Sequence, residues 1–521
     1  MEKKVFYKSV SKNFTKVFAV SLVYFNLNSG NLAAQPFITE WFYRTGTSRI
    51  NFYAHTSGAV NYVWKALPSG NAGTGTFSAT TPQLVTLTVN VPPMNTVELS
   101  MAPDSLLRFY NYDPAISGFN PHVLNLMSVR QWGSVQWSSM EYAFAGCLLF
   151  DIAASDFPDL TNVTNMDWMF WRCQSLNSPN VSSWNVSNVT TMKGMFSKAT
   201  SFNQSLVNWN VKNVTDMEQM FDSATSFNQH LIAWNTSSVK SMRKMFRYAT
   251  SFDKPLANWN TSSVTDMSEM FAFSTAFNQS IGSWDVSNVV NMANMFENAT
   301  SFNASIGGWN TSNVKDMARM FAKASSFNQN LSGWNVSNVI TMQNMFDNAA
   351  AFNNSSIGAW VFNPSVNLIG MLDNSGIDCD NYSEILKNWD ANPLTPNNLV
   401  LGASGLQYGT TAVSARNNLI NVKGWTIYGD IASSLPCGPT TFVSSSNGVV
   451  NLVRYNDGKV FITGKGLKNV TVFDASGRIV ASKNLNNENQ TTLDHVQGIK
   501  GLVLLKIHTQ DGMYNHKLIL D

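Results

Sequence analysis

Histidine, cysteine, methionine and paired aspartate are the residues in this 521-residue chain with the means to do chemistry, and their spacing speaks against most of it. His55, His122, His230, His495, His508 and His516 are scattered, with no HExxH. There is no GxSxG, Walker loop or GxGxxG, so neither a metal-binding His pair, a nucleophile elbow nor a phosphate cradle is written in the sequence. Asp378 and Asp380 form a D-x-D without the Gly and Glu of a calcium loop, and read as a surface pair. No cysteines form a CxxC, which removes zinc-ribbon and thioredoxin-like chemistry. Cys147 and Cys173 each lie seven residues after a methionine, Met140 and Met166. If those are equivalent positions of stacked repeats, they sit about 5 Å apart, within reach of a disulfide. The pair then reads either as a bridge or as two buried free thiols. Met192/Met195 and Met217/Met220 suggest a copper(I) relay or core filling. They fall in register with Phe and Val, with no His or Cys beside them, so core filling is the expectation. No enzyme, cofactor or metal is expected.

The amides are more regular than any of these. Asn210, Asn235, Asn260, Asn310 and Asn335 each follow a tryptophan, with Asp285 in the same place in one copy. A second column follows phenylalanine, as in Asn203, Asn228, Asn278 and Asn303. Stacked amides can hydrogen-bond along a ladder, so the second column is read as structural. The first should point outward and is the candidate partner-binding face.

These columns require a repeat to position them. Trp184, Trp209, Trp234, Trp259, Trp284, Trp309 and Trp334 recur every 25 residues. The methionine that opens each apolar cluster recurs from Met140 to Met342, with Leu368 in the last place. A strict period of this length predicts a solenoid, because one unit cannot bury its apolar face alone. Within a unit, Trp209 and Val211 are two apart and should share one side of a short strand. Val214, Met217, Met220 and Phe221 fall at helical spacing and predict a short helix. Asp216, Asp266 and Asp316 would sit in its first turn, where the helix dipole favours a carboxylate. About ten rungs of strand plus helix are expected, an α/β repeat architecture. A β-rich module precedes it and an Ig-like sandwich follows.

Charged residues make up 13% of the chain, with Lys plus Arg (34) balancing Asp plus Glu (32). No net field exists to attract nucleic acid or acidic membrane. Lys3, Lys4, Lys8, Lys12 and Lys16 precede the apolar stretch Val17–Leu27, with Ala33 and Ala34 after it. That is the layout of a secretory signal peptide, expected over 1–34. No later stretch is long enough for a transmembrane helix. The expected organisation is a β-rich module over 35–125, the solenoid over 126–375, its cap over 376–430, a Ser/Thr/Pro/Gly-rich linker over 431–447, and a strand-rich unit over 448–521.

The unit W-N-V-S-N-V-x-x-M-x-x-M-F-x-x-A-x-S-F-N-Q, as in Trp184–Gln204, resembles the BspA-like leucine-rich-repeat surface proteins. The likeness covers about residues 130 to 430, from Trp132 and Trp137–Cys147 to the closing segment 372–430. Phe37–Trp41 resembles the start of such proteins in the Bacteroidetes. Asp474–Arg478 (DASGR), Gly501–Ile507 (GLVLLKI) and Lys517–Leu520 (KLIL) resemble a type IX secretion sorting domain, with Val503 where that family commonly has Tyr. The resemblance implies a secreted or outer-membrane surface protein that engages the type IX machinery and adheres to or binds a protein or glycan. The alternative is a stiff surface spacer without a specific ligand.

Overall fold

The computed structural model describes residues 34–113, 118–119, 123–433, 437, 440–441, 450–456, 459–474, 476–493, 501–510 and 512–520. The leader expected over 1–34 lies outside them except for its last residue.

Alternating apolar residues and Gly/Pro/Asn turns make the N-terminal module a pair of sheets. Its strands are β1 (Phe37–Tyr43), β2 (Thr47–Thr56), β3 (Ala59–Leu67), β4 (Ala72–Ser78), β5 (Gln83–Val91), β6 (Asn95–Met101) and β7 (Leu106–Tyr110). Along β5 the inward residues are Val85, Leu87, Val89 and Val91, as their alternation predicts. A short antiparallel pair follows, β8 (Tyr112–Asp113) with β9 (Gly118–Phe119). The module does not stop at residue 125. β10 (Leu126–Gln131) and β11 (Asp151–Ile152) extend the larger sheet, in the order β11-β10-β1-β6-β3-β4. β5-β2-β7 forms the smaller sheet. Phe37 packs within 5.5 Å of Phe109 and 5.0 Å of Trp137, ring centre to ring centre, and thereby welds the module to the first rung.

From there the chain is a stack of rungs joined by parallel bridges, Asn165 to Thr191, Thr191 to Asp216 and so on to Thr341 with Asn367. Three aromatic columns run through its core. Phe221, Phe246, Phe271 and Phe296 stack at 5.6–5.8 Å with planes within 7°. Phe227, Phe252 and Phe277 form a second column at 5.9–6.1 Å. Trp234, Trp259 and Trp284 form a third at 6.3 Å. These are offset-stacked separations, the arrangement that ring quadrupoles favour. The methionines fill the same buried interior, so core filling is where the structure places them.

The expected helix in each rung is absent. Residues 217–223 form consecutive turns, with Gln219 and Ser223 at φ 58° and 59°. The pair recurs as Lys244/Tyr248, Glu269/Phe273, Asn294/Asn298, Arg319/Lys323 and Asn344/Asn348. The apolar spacing is therefore not that of a helix. It comes from turns that reset every fourth residue through a left-handed position. Inter-rung bonding explains why turns win. The N–H groups of Met217, Gln219, Phe221 and Ser223 donate to the carbonyls of Ser241, Arg243, Met245 and Arg247, one rung on. Those of Met220, Asp222 and Ala224 donate three residues back. Both sets of donors are satisfied, whereas a helix this short would leave its first four N–H groups without an intrahelical partner. Asp216, Asp266 and Asp316 accept from the N–H two residues on, in Asx turns rather than at helix starts. The expected strand around Trp209 and Val211 is also turn and irregular backbone, although Trp209 and Val211 point inward and Asn210 outward as predicted.

Genuine helices appear where the rung widens. α1 (Cys379–Ala391) and α2 (Val413–Asn421) are inserted between strands that continue the ladder. Leu368 bridges to Leu401 in β12 (Val400–Gly402), and β12 pairs in parallel with β14 (Thr426–Tyr428). β13 (Gln407–Tyr408) pairs in parallel with β15 (Ile431–Ala432). Trp389 and Trp425 close the end of the aromatic core, 5.7 Å apart. One continuous core runs from Phe37 to Trp425.

The cysteine expectation needs correction. Cys147 and Cys173 are buried free thiols, and the disulfide joins Cys379 to Cys437. The Cys173 thiol donates to the Phe144 carbonyl at 3.0 Å, and Asn111 Nδ2 lies 3.6 Å from the Cys147 sulfur. Each sulfur is thus hydrogen-bonded in its own place. Burial pushes both thiols well above the usual range. The segment expected as linker is tied at both ends, by β15 and Cys437 to the cap and by β16 (Thr440–Thr441) to the tail.

The tail is an antiparallel β unit with its own core, which includes Val460, Ile462, Val470, Val472, Val503, Leu505 and Ile507. β17 (Val450–Asn456), β18 (Lys459–Phe473), β20 (Gly501–Thr509) and β21 (Gly512–Leu520) follow β16 in order across the sheet, and β19 (Ile479–Leu493) pairs with β18. β18 changes register between Thr463 and Leu467, pairing with β17 before the shift and β20 after it. Asp474 closes the turn at Gly477 by accepting from Ser476 and Arg478.

Candidate functional site

Each rung presents three polar edges, and hydrogen bonding separates their roles. The first follows the tryptophan. Asn210, Asn235, Asn260, Asp285, Asn310 and Asn335 are all exposed, and each side-chain oxygen accepts from the backbone N–H two residues on, at 2.9–3.3 Å. The hydrogen bond from Ser287 holds the Asp285 carboxyl below its ordinary range. The next asparagine of the motif reaches back one rung. Asn213 Nδ2 donates to Ser187 O and Asn313 Nδ2 to Ser287 O, at 2.8 and 2.6 Å. Where the rung has Thr in place of Val, as at Thr236, Thr261 and Thr311, the buried hydroxyl donates to a carbonyl of the next rung at 2.8–2.9 Å. The W-N-x-S-N sequence is therefore a turn and a tie.

The second edge is the column after phenylalanine. Asn203 Oδ1 accepts from the Asn228 N–H, Asn228 from Asp253, Asp253 from Asn278 and Asn278 from Asn303, at 2.8–3.0 Å. Gln229 and Gln329 add their amides to the ladder. It ends at Asp378, which accepts from Asn381 as the cap of α1. Asp378, the first residue of the D-x-D, is thus a helix cap, with Asp380 in the first turn.

The third edge carries the left-handed turns, and here the copies differ. The four positions read Glu218, Gln219, Asp222 and Ser223 in one rung, Arg243, Lys244, Arg247 and Tyr248 in the next, and Ser268, Glu269, Ala272 and Phe273 in the one after. Charges on this edge interlock between rungs. Glu218 pairs with Lys193 at 2.7 Å and with Arg243 at 2.9 Å. Asp222, only 2% exposed, takes both arms of Arg247 at 3.0 Å. Arg247 also reaches Glu269 at 2.9 Å. Tyr248 is 40% exposed, and its ring stacks on Phe273 at 4.4 Å. Sequence reasoning passed over this edge because it looked for residues that repeat. The available pointer was the reverse, namely the positions where otherwise identical copies disagree.

Among the described residues no cluster of three or more His, Cys, Asp or Glu is placed to hold a metal, and no helix is long and apolar enough to cross a membrane.

Two family models match the chain. One, described as a Mycoplasma protein of unknown function, DUF285, matches residues 138–256, 229–310 and 275–389, in overlapping copies that follow the rung stack. The other, a secretion system C-terminal sorting domain, matches residues 450–521. The tail directs this chain to secretion. That likeness supports type IX export to the cell surface and involvement of its machinery. No curated protein matches the chain.

Proposed function

We propose that this chain is a non-enzymatic, BspA-like surface protein of the Bacteroidetes, whose rung stack presents a contact face to a protein or glycan outside the cell. The leader and an Ig-like reading of the tail belong to the same proposal. The observation that carries it is the division of labour among the edges. The asparagine edges hold Asn or Asp because the side-chain oxygen is engaged in the chain's own turns and ladder. The turn edge varies from rung to rung while holding a rigid backbone. A surface that varies on an invariant scaffold suits recognition. The contact face is therefore assigned to the turn edge, and the Asn210 column is assigned to holding turns.

The test is adhesion by cells displaying the full chain. Lys198, at φ 60°, is the equivalent of Ser223 and Tyr248 on the turn edge. Replacing Lys198 and Lys323 by Glu and Tyr248 by Ala lowers attachment roughly tenfold, about 1.4 kcal/mol. The triple change of Asn210, Asn235 and Asn260 to Ala lowers the melting temperature but leaves attachment by the folded fraction intact. The opposite result returns the contact face to the asparagine column. Removing residues 448–521 leaves the protein in the periplasm; surface display without them refutes the sorting role. A stiff spacer is the second reading, favoured by the unbroken core sealed at both ends. It gains if none of these changes alters attachment.

A further inference from the structure

We infer that the aromatic corner built by Trp168 and Trp171 on the turn edge, beside Tyr142 and Tyr112, is a binding site for a carbohydrate chain. This rests on the turn edge being the contact face and names the ligand that one end of it takes. Trp168 sits at φ 57° and Tyr142 at φ 54°, in the left-handed region that bulky side chains seldom enter. Nothing in the rung demands aromatics there. The equivalents of Trp168 are Gly194, Gln219, Lys244 and Glu269, and those of Trp171 are Ser197, Asp222, Arg247 and Ala272.

The rings are held rigidly. A Cβ on Gly194 would fall 2.1 Å from the Trp168 ring, so the indole covers that glycine, and Trp168 is partly exposed. Trp171 stands against it at 67°, with ring centres 5.7 Å apart. Tyr112 meets Trp171 edge-on at 5.7 Å and lies tilted at 48° to Tyr142 at 4.9 Å. The result is a floor and a wall of π surface, all four rings partly exposed.

The rim is charged. Glu141 pairs with Arg108 at 3.2 Å, and Asp167 Oδ1 accepts from Thr191 and the Lys193 N–H at 2.6 and 2.8 Å. Burial, then Glu141, Tyr112 and Asp167, push the Tyr142 phenol up to about 12, so it remains a neutral donor.

A pyranose matches this arrangement. One of its faces is a patch of C–H bonds with partial positive charge, which meets the negative face of an aromatic ring. Its rim is hydroxyl, which pairs with carboxylates, Lys193 and a phenol. An apolar protein anchor would need a dry surround, and the neighbouring Glu141, Asp167, Lys193 and Glu218 deny it one.

The experiment uses the full chain without its leader, residues 35–521. Retention is measured on cellulose, chitin, β-1,3-glucan and starch, and soluble fragments of any retained polymer are titrated by tryptophan fluorescence. Retention on at least one polymer is expected, with affinity lowered at least roughly tenfold by Trp168→Ala and by Trp171→Ala. Trp168→Tyr, which keeps a π face, stays within about threefold, whereas Trp168→Leu, apolar without one, loses binding like alanine. Trp171→Ala and Trp168→Leu serve as independent readings should Trp168→Ala fail to fold. No retention on any of the four polymers overturns the proposal, as does equal retention by the folded variants. Attachment of displaying cells that persists in Trp168→Ala/Trp171→Ala, but falls with the Lys198, Tyr248 and Lys323 changes, sinks the carbohydrate site alone. It leaves the contact face standing and points to a protein partner.

Discussion

From Trp209 to Trp360 the tryptophan of each rung joins packing and hydrogen bonding in one side chain. Trp259 is 3% exposed, stacks 6.3 Å from both Trp234 and Trp284, and donates from Nε1 to the Leu231 carbonyl one rung back at 3.1 Å. The same bond recurs from Trp209 to Trp360. Trp259→Ala removes the ring and one of the two hydrogen bonds accepted by the Leu231 carbonyl, the other coming from the Trp234 N–H. It should cost about 3–5 kcal/mol in a denaturant melt of the full chain. Asp222 is a buried carboxylate with one charged partner, Arg247, beside a hydrogen bond from the Ser223 hydroxyl at 3.3 Å. Arg247→Met leaves it uncompensated and should destabilise by about 3–5 kcal/mol. The double variant Asp222→Leu/Arg247→Met should recover most of that loss, and no recovery would show that the pair does not act as a unit.

At the scale of the rung, the left-handed positions set the shape. A non-glycine residue there carries about 1–2 kcal/mol of strain, against a smaller entropic penalty for glycine. Lys323 lies at φ 60° and makes no ion pair among the described residues. Lys323→Gly should therefore raise stability by up to about 1 kcal/mol, and Lys323→Val should lower it. Equal effects of the two would refute the turn assignment. Gly194 is the exception that shows the rule's limit. Its φ of 58° also suits glycine, but it is the Trp168 ring above it that leaves no room for a Cβ.

At the scale of the molecule, each end of the stack is sealed differently. The β module extends its sheet into the first rungs. The far end is covered by α1 and α2 and stapled by Cys379–Cys437, a closure of 58 residues in sequence. Inside it, Arg416 grips the buried Asp430, which also accepts from the Tyr382 hydroxyl at 3.1 Å. Replacing both cysteines by serine should lower the unfolding free energy by about 2–4 kcal/mol. The loss should appear in melts of the oxidised protein and vanish when wild type and variant are compared in reductant. The same pair changes how the linker is understood, since Cys437 binds its first part to the cap. Of the segment 431–447, Ile431–Ala432 and Cys437 join the cap and Thr440–Thr441 joins the sheet of the tail.

Period, direction and polar columns were legible in the residues themselves. A unit repeated without slip must stack, and Trp209 and Val211 must face one way and Asn210 the other, because burial alternates with backbone geometry. The second asparagine column was legible as a ladder for the same reason: equivalent amides come within bonding distance when units stack. What the tertiary structure decided was whether apolar residues three and four apart belong to a helix or to serial turns. Local spacing is the same in both, and only the neighbouring rung, by taking the N–H of Met217, Gln219, Phe221 and Ser223, selects the turns. It also decided the cysteines. Cys147 and Cys173 share a register, yet each sulfur is hydrogen-bonded where it sits, whereas Cys379 and Cys437 are far apart in sequence and meet only because the closing segment folds back. It also showed what an exposed asparagine does, since Asn210 looks available in a sequence until its oxygen is found holding the turn beneath it.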